Sequence, residues 1–232
     1  MTPLYIIPAR GGSKGIPFKN VALLAGRPLI AYTIDAAFEA AKSTAGTVML
    51  STDSDRIANV AAQCGLTTDY RRPAALATDS AGSREVILDA MAWARNRGIE
   101  FDVVVLLQPT SPLRTTDDIT GTLKAYAARP DADMAVSVCL SDENPYYNLF
   151  ETDSDGALHI CKGAGLFTRR QDVPPVYRYN GAVYAIRPES IEAMALGEFP
   201  VRVPYIMPAG RSIDIDTAAD LRAATDFFQQ RQ

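Results

Sequence analysis

The stretch that most limits what this chain can become is Phe101–Leu107, with its unbroken apolar run Val103-Val104-Val105-Leu106-Leu107. Strands of this kind are covered on both faces and belong to parallel sheets. Leu4–Ile7, Thr47–Leu50, Met134–Cys139, Asn180–Ile186 and Val201–Ile206 read as further strands, and Leu66–Tyr70 as a short one. Between them lie helical patterns. Leu29–Lys42 carries Ile30, Ile34, Ala37, Phe38 and Ala41 on one side, with Pro28 suited to its first position. Arg56–Cys64 is closed by Gly65, with Asp53 and Asp55 as caps. Arg84–Arg97 has Ser83 as its expected N-cap, and Asp118–Ala128, Glu189–Ala195 and Thr217–Gln229 follow. Alternation on this scale predicts an α/β fold with right-handed crossovers, whose ligands sit beyond the carboxyl ends of the strands. The loops to watch are Arg10–Asn20, Ser51–Asp55 and Gln108–Arg114.

The first of these is built for phosphate. Ala9-Arg10-Gly11-Gly12-Ser13-Lys14-Gly15 runs on to Lys19-Asn20. Glycines let backbone N–H groups approach a ligand, consecutive N–H groups make a concave anion site, and Arg10, Lys14 and Lys19 add charge. The order Ser13-Lys14-Gly15 is not that of a Walker A loop, and no Gly-x-Gly-x-x-Gly spacing occurs. At the far end, Asp214 and Asp216 stand two apart, on one face if the segment is extended. Paired carboxylates suit a hard divalent cation shared with nucleotide phosphates. Asp216 also stands where a helix begins and suits an N-cap, although Thr217-x-x-Asp220 supplies a capping box there.

Other polar groups are less specific. Gln108, in Gln108-Pro109-Thr110-Ser111-Pro112-Leu113-Arg114, offers a donor and an acceptor for sugar hydroxyls. Arg170, Gln171, Arg178 and Asn180 form a second group, with Arg178 and Asn180 expected on one strand face. Arginine suits a carboxylate, while a surface ion-pair network explains the same residues more simply. His159 is the only histidine and supports no histidine-based acid–base scheme.

With 27 acidic and 23 basic residues the net charge is −4, so nucleic acid is not expected as a partner. Cys64, Cys139 and Cys161 form no Cys-x-x-Cys pair, which points away from zinc or a disulfide framework and towards a reducing compartment. No signal segment or membrane-spanning run is read, so a cytoplasmic protein without membrane attachment is expected.

The string from Ile6 to Asn20, IIPARGGSKGIPFKN, resembles the signature of the CMP-nonulosonic acid synthetases, the acylneuraminate cytidylyltransferases. LLQPTSPLR, RRQDVPPVYRYNGAVY and SIDIDTAADL resemble that family's later motifs, in order, so the likeness runs from about Tyr5 to about Leu221. It implies a Rossmann-like, mostly parallel sheet flanked by helices, of nucleotide-diphospho-sugar transferase type. A single cytidylyltransferase domain over 1–232 would carry an insertion at 141–175 that helps form a homodimer. Tyr146, Tyr147 and Phe150, on a hairpin turning at Ser154-Asp155-Gly156, are consistent with such a contact and equally with local packing.

The resemblance also implies chemistry: CMP passes from CTP to the anomeric hydroxyl of a nonulosonic acid, releasing pyrophosphate, for cell-surface polysaccharide synthesis. Asp214 and Asp216 would hold Mg²⁺. Arg72, Ser83 and the backbone between Ala77 and Ser83 would meet cytosine, and Gln108, Arg170, Gln171 and Asn180 the sugar acid. Residues 144–150 and 168–171 resemble the legionaminate-type branch, with N-acetylneuraminate, its deaminated form and pseudaminate also in view. The alternatives are a CMP-Kdo-type synthetase, which the Gly11–Gly15 run resembles less, and a non-catalytic nucleotide-sugar-binding protein.

Overall fold

The computed structural model describes residues 1–13 and 15–230. Ten strands appear in chain order: β1 Pro3–Pro8, β2 Leu23–Leu24, β3 Arg27–Pro28, β4 Thr47–Ser51, β5 Val103–Leu106, β6 Met134–Leu140, β7 Phe150–Thr152, β8 Leu158–Ile160, β9 Tyr177–Ile186 and β10 Arg202–Ile206. The α-helices are α1 Leu29–Thr44, α2 Asp55–Gln63, α3 Ser83–Asn96, α4 Thr116–Ala127, α5 Pro188–Ala193 and α6 Ala218–Gln229.

Six strands form the central sheet in the order β10-β6-β9-β5-β1-β4. All neighbours are parallel except β9, which runs antiparallel to both β5 and β6. The apolar runs are explained by what covers each face. Tyr5, Ile7, Val103 and Val105 pack with α1, α2 and α4, while Leu4, Ile6, Val104 and Leu106 pack with α3 and α5. A strand buried on both sides has no polar face, so its residues do not alternate. A third cluster joins Leu24, Leu29, Ile215 and Ala224, with Ile16 and Ile213 against it. It fastens the end of the glycine-rich loop to the Asp214–Asp216 segment and to α6. Among the described residues no helix is long and apolar enough to cross a membrane, and the three cysteines are free.

Several local expectations are corrected. Leu66–Tyr70 is not a strand: the Tyr70 N–H is taken by Thr68 Oγ1 at 3.0 Å, a side-chain bond that replaces a ladder partner. Tyr70 is buried through its ring, edge-on to Trp93, and its hydroxyl donates to Asp89. Gly82, not Ser83, caps α3, and Ser83 is the first helical residue. A Cβ at Gly82 would meet only the end of the Glu85 side chain, which is free to swing aside. Ser54 caps α2 by accepting from Ile57 N–H, leaving Asp53 for another task. Pro28 is the residue before α1 rather than its first. The hairpin is present, but its first strand is only β7.

Candidate active site

The loops after β1 and β5 and the segment from Arg72 to Val86 surround a cleft of about 540 Å³, and the expected loop Ser51–Asp55 lies behind the first of these walls rather than on the cleft. The wall after β1 is held at several points. Ala9 N–H donates to Ser51 O at 2.8 Å, which continues the pairing of β1 and β4 for one more residue. Gly11 N–H donates to Asp53 Oδ1 at 2.8 Å, and Asn20 Nδ2 donates to Arg10 O at 3.1 Å. A Cβ at Gly11 would press on Ser54, and one at Gly15 would stand 2.2 Å from the carbonyl oxygen of Asp216, whereas Gly12 faces open space. The loop is therefore close-packed at both ends and open in the middle, where N–H groups can meet an anion. Lys14 lies outside the described residues.

Arg10, Ser13, Lys19 and Asn20 line this cleft. Lys19 Nζ donates to Ile215 O and to Asp216 Oδ1, both at 2.7 Å. Arg72 is buried, and its guanidinium donates to Ser51 Oγ at 3.0 Å and Ser51 O at 2.7 Å. Burial is the main cause that pulls its pKa below the usual arginine value, with the positive Arg10 adding and Tyr70 and Asp53 opposing. Ser83 and Gln108 complete the floor and the opposite wall.

The acidic pair divides its work. Asp216 is exposed at the cleft and paired with Lys19, while Asp214 lies deeper, behind Thr110, whose carbonyl accepts from Ile215 N–H at 2.8 Å. Gly181, at φ +73°, makes the room: a Cβ there would stand 3.2 Å from Asp214 Oδ2. Asp214 Oδ1 is buried without a hydrogen-bond partner among the described residues. Burial raises the Asp214 pKa most; the Thr110 hydrogen bond and Lys19 lower it, and the negative Asp216 raises it further. A buried, unpartnered carboxylate oxygen beside a second carboxylate fits a divalent cation, which would supply the missing partner.

The loop after β5 owes its shape to Arg114, a residue whose role the sequence reading missed. Its buried guanidinium donates to Gln108 O, Ser111 O, Ala182 O and Thr33 Oγ1 at 2.5–3.3 Å. Burial pushes its pKa down to about 9. Only the closing Arg of LLQPTSPLR hinted at this, since an arginine after two prolines suits a loop brace.

The second polar group does not reach the cleft wall. Asn180 is buried in the sheet, with Nδ2 on Ser212 Oγ at 2.9 Å and Oδ1 accepting from Ser137 Oγ at 2.6 Å. Arg178, its expected face-mate, is exposed. The Gly181 conformation and a register shift between Val136 and Val138 break the two-residue period there. Arg170 and Gln171 are exposed, and Arg170 Nη2 donates to Asp142 O at 2.6 Å and to Asp142 Oδ1 at 2.9 Å.

A glycine-rich cationic loop facing paired carboxylates, at the carboxyl ends of parallel strands, places the molecule among the α/β nucleotide-handling folds. Within that class the chain belongs to the cytidylyltransferase family, whose model matches residues 4–221. It is 37% identical over 221 residues to an N-acylneuraminate cytidylyltransferase of Streptococcus agalactiae, covering 95% of this chain and 52% of that protein. It is 34% identical over 224 residues to the CMP-N,N'-diacetyllegionaminic acid synthase of Legionella pneumophila, covering 95% and 93%. The chain thus spans about half the length of the streptococcal relative but nearly all of the legionellal one. In fold it is similar to a solved CMP:2-keto-3-deoxy-manno-octonic acid synthetase complexed with CTP, at TM-score 0.73 and 17% identity, covering all of both chains.

Proposed function

We propose that the protein transfers CMP from CTP to the anomeric hydroxyl of a nonulosonic acid and releases pyrophosphate. The observation that carries this is one cleft lined by Arg10, Lys19, the glycine-rich loop and Asp216, in a chain of this family. The anomeric oxygen attacks the α-phosphorus and loses its proton, a P–O bond forms, and the bond to the bridging oxygen of the β-phosphate breaks. Pyrophosphate leaves with that oxygen and its electron pair. Such a reaction depends mostly on alignment and on neutralising charge.

Arg10, Lys14 and Lys19, with the N–H groups of Gly12 and Ser13, would hold the β- and γ-phosphates. Arg72, Ser83 and the bend at 77–82 would receive the cytidine, and Gln108 would orient the sugar acid. Asp214 and Asp216 would hold Mg²⁺, which when bound draws phosphate and hydroxyl oxygens together and makes the hydroxyl more acidic. Arg170, Gln171 and Arg178 lie on the side of the 141–175 insertion, which we assign as the homodimer contact of a single cytidylyltransferase domain. Leu149, Phe150, Leu158, Leu166 and Phe167, all exposed, support that assignment.

The test is pyrophosphate release from CTP with N-acetylneuraminate, deaminated neuraminate, legionaminate, pseudaminate and Kdo in turn, with ATP, GTP and UTP as controls. Turnover with CTP and one of the nine-carbon acids is expected. Preference for Kdo would refute the acceptor class, and no turnover with any acid would refute the reaction.

A further inference from the structure

Arg10 is already engaged. Its Nη2 lies 2.6 Å from Asp79 Oδ1, with the two side chains 31% and 46% exposed. The partners come from different walls: Arg10 follows β1, and Asp79 lies in the bend between the short 3₁₀ turn Ala74–Leu76 and α3. Both line the same cleft, as do Thr78 and Ala81 on either side of Asp79. The ion pair thus spans the space assigned above to the triphosphate. A ligand whose phosphates reach Arg10 must take it from a carboxylate, and a ligand that does not reach Arg10 bears no such cost.

Resting on that assignment, we propose that Asp79 is a positioning residue that acts through Arg10: it competes with the polyphosphate for the guanidinium. The cost falls on triphosphate and pyrophosphate and not on the nucleoside. A phosphate group with more than one negative charge displaces the single carboxylate while the triphosphate is seated. After transfer, the returning Asp79 carboxylate weakens the grip on the leaving pyrophosphate. The pair therefore holds Arg10 in its working position when the cleft is empty and helps empty the cleft after the reaction.

The probe is inorganic pyrophosphate, titrated calorimetrically against the full chain, with cytidine as the control ligand. Asp79→Asn should tighten pyrophosphate about two- to fivefold, the range of a partly exposed ion pair, and change cytidine by clearly less. In an Arg10→Gln background the same substitution should tighten pyrophosphate clearly less than it does in the wild type. Asp79→Glu should keep pyrophosphate near the wild-type value. Unchanged or weaker pyrophosphate binding by Asp79→Asn would overturn the proposal. Equal effects on pyrophosphate and cytidine would also overturn it, because they would mark a merely structural bend. Neither arm needs an acceptor or turnover, so failure of the transfer reaction in the wild type is read separately.

Discussion

Gly15 lies so close to Asp216 that a Cβ on the glycine would stand 2.2 Å from the Asp216 carbonyl oxygen. Contact at that distance cannot be absorbed by a flexible side chain, because the obstacle is backbone. Gly15→Ala must therefore move the acidic segment by on the order of an ångström, enough to cost about a hundredfold in kcat. The fold should survive, because Gly15 lies outside the sheet. Steady-state kinetics with thermal melting checks this, and wild-type kcat in the variant would contradict it.

Asp214 gives a prediction with opposite signs for stability and activity. Its pKa is raised above the ordinary carboxylate value, chiefly by burial. The native state therefore binds more protons than the unfolded one between the ordinary and the raised value, so stability falls as pH rises through that window. Above it the penalty is constant. Asp214→Asn removes the buried charge, so its melting temperature should exceed the wild type's at neutral pH without added metal. Turnover should drop by at least about a hundredfold, the scale on which a main electrostatic group is lost. The stability difference should vanish below the ordinary carboxylate range, as a pH series of melts would reveal.

Arg114 should prove a structural brace. Arg114→Met removes the guanidinium donor from the carbonyl oxygens of Gln108, Ser111 and Ala182, of which Gln108 O keeps the Ser111 N–H at 3.3 Å. Losing buried partners of a charged group should cost about 3 kcal/mol in urea unfolding. A change within about 0.5 kcal/mol, ordinary for a surface site, would show that the loop stands without it.

The hairpin should control assembly. Phe150 and Leu158 are 53% and 66% exposed on β7 and β8. Wild-type protein is expected to sediment as a dimer, and Phe150→Asp with Leu158→Asp as a monomer with unchanged circular dichroism. A monomeric wild type would remove the assignment of 141–175 as the contact.

The order of strands and helices was legible because its signals are local. β5 is apolar throughout because Val103 and Val105 face one helical layer and Val104 and Leu106 the other. The capping box at Thr217 and Asp220 was likewise readable from spacing alone. Asn180 was not: it reads as a polar strand residue ready for a ligand, yet it is spent on Ser137, Met207 and Ser212. Ser83 looks like a cap by type, yet it is the first residue of the helix and Gly82 stands at the cap, one residue earlier than its type suggests.

The residue order by itself determined the α/β alternation, the cationic glycine-rich loop and the paired aspartates, since each follows from residue type and near spacing. Which groups meet was decided by tertiary packing. Ile16, Ile213 and Ile215 join one apolar cluster, and that burial carries Lys19 onto Asp216 and Gly15 against its carbonyl. The Arg10–Asp79 pair likewise exists only because the strand after which Arg10 lies and the helix that Asp79 precedes pack together around Leu4, Ile6 and Ile87. Apolar burial is non-directional and leaves no mark at the charged residues it brings together, so no local pattern could have announced those contacts.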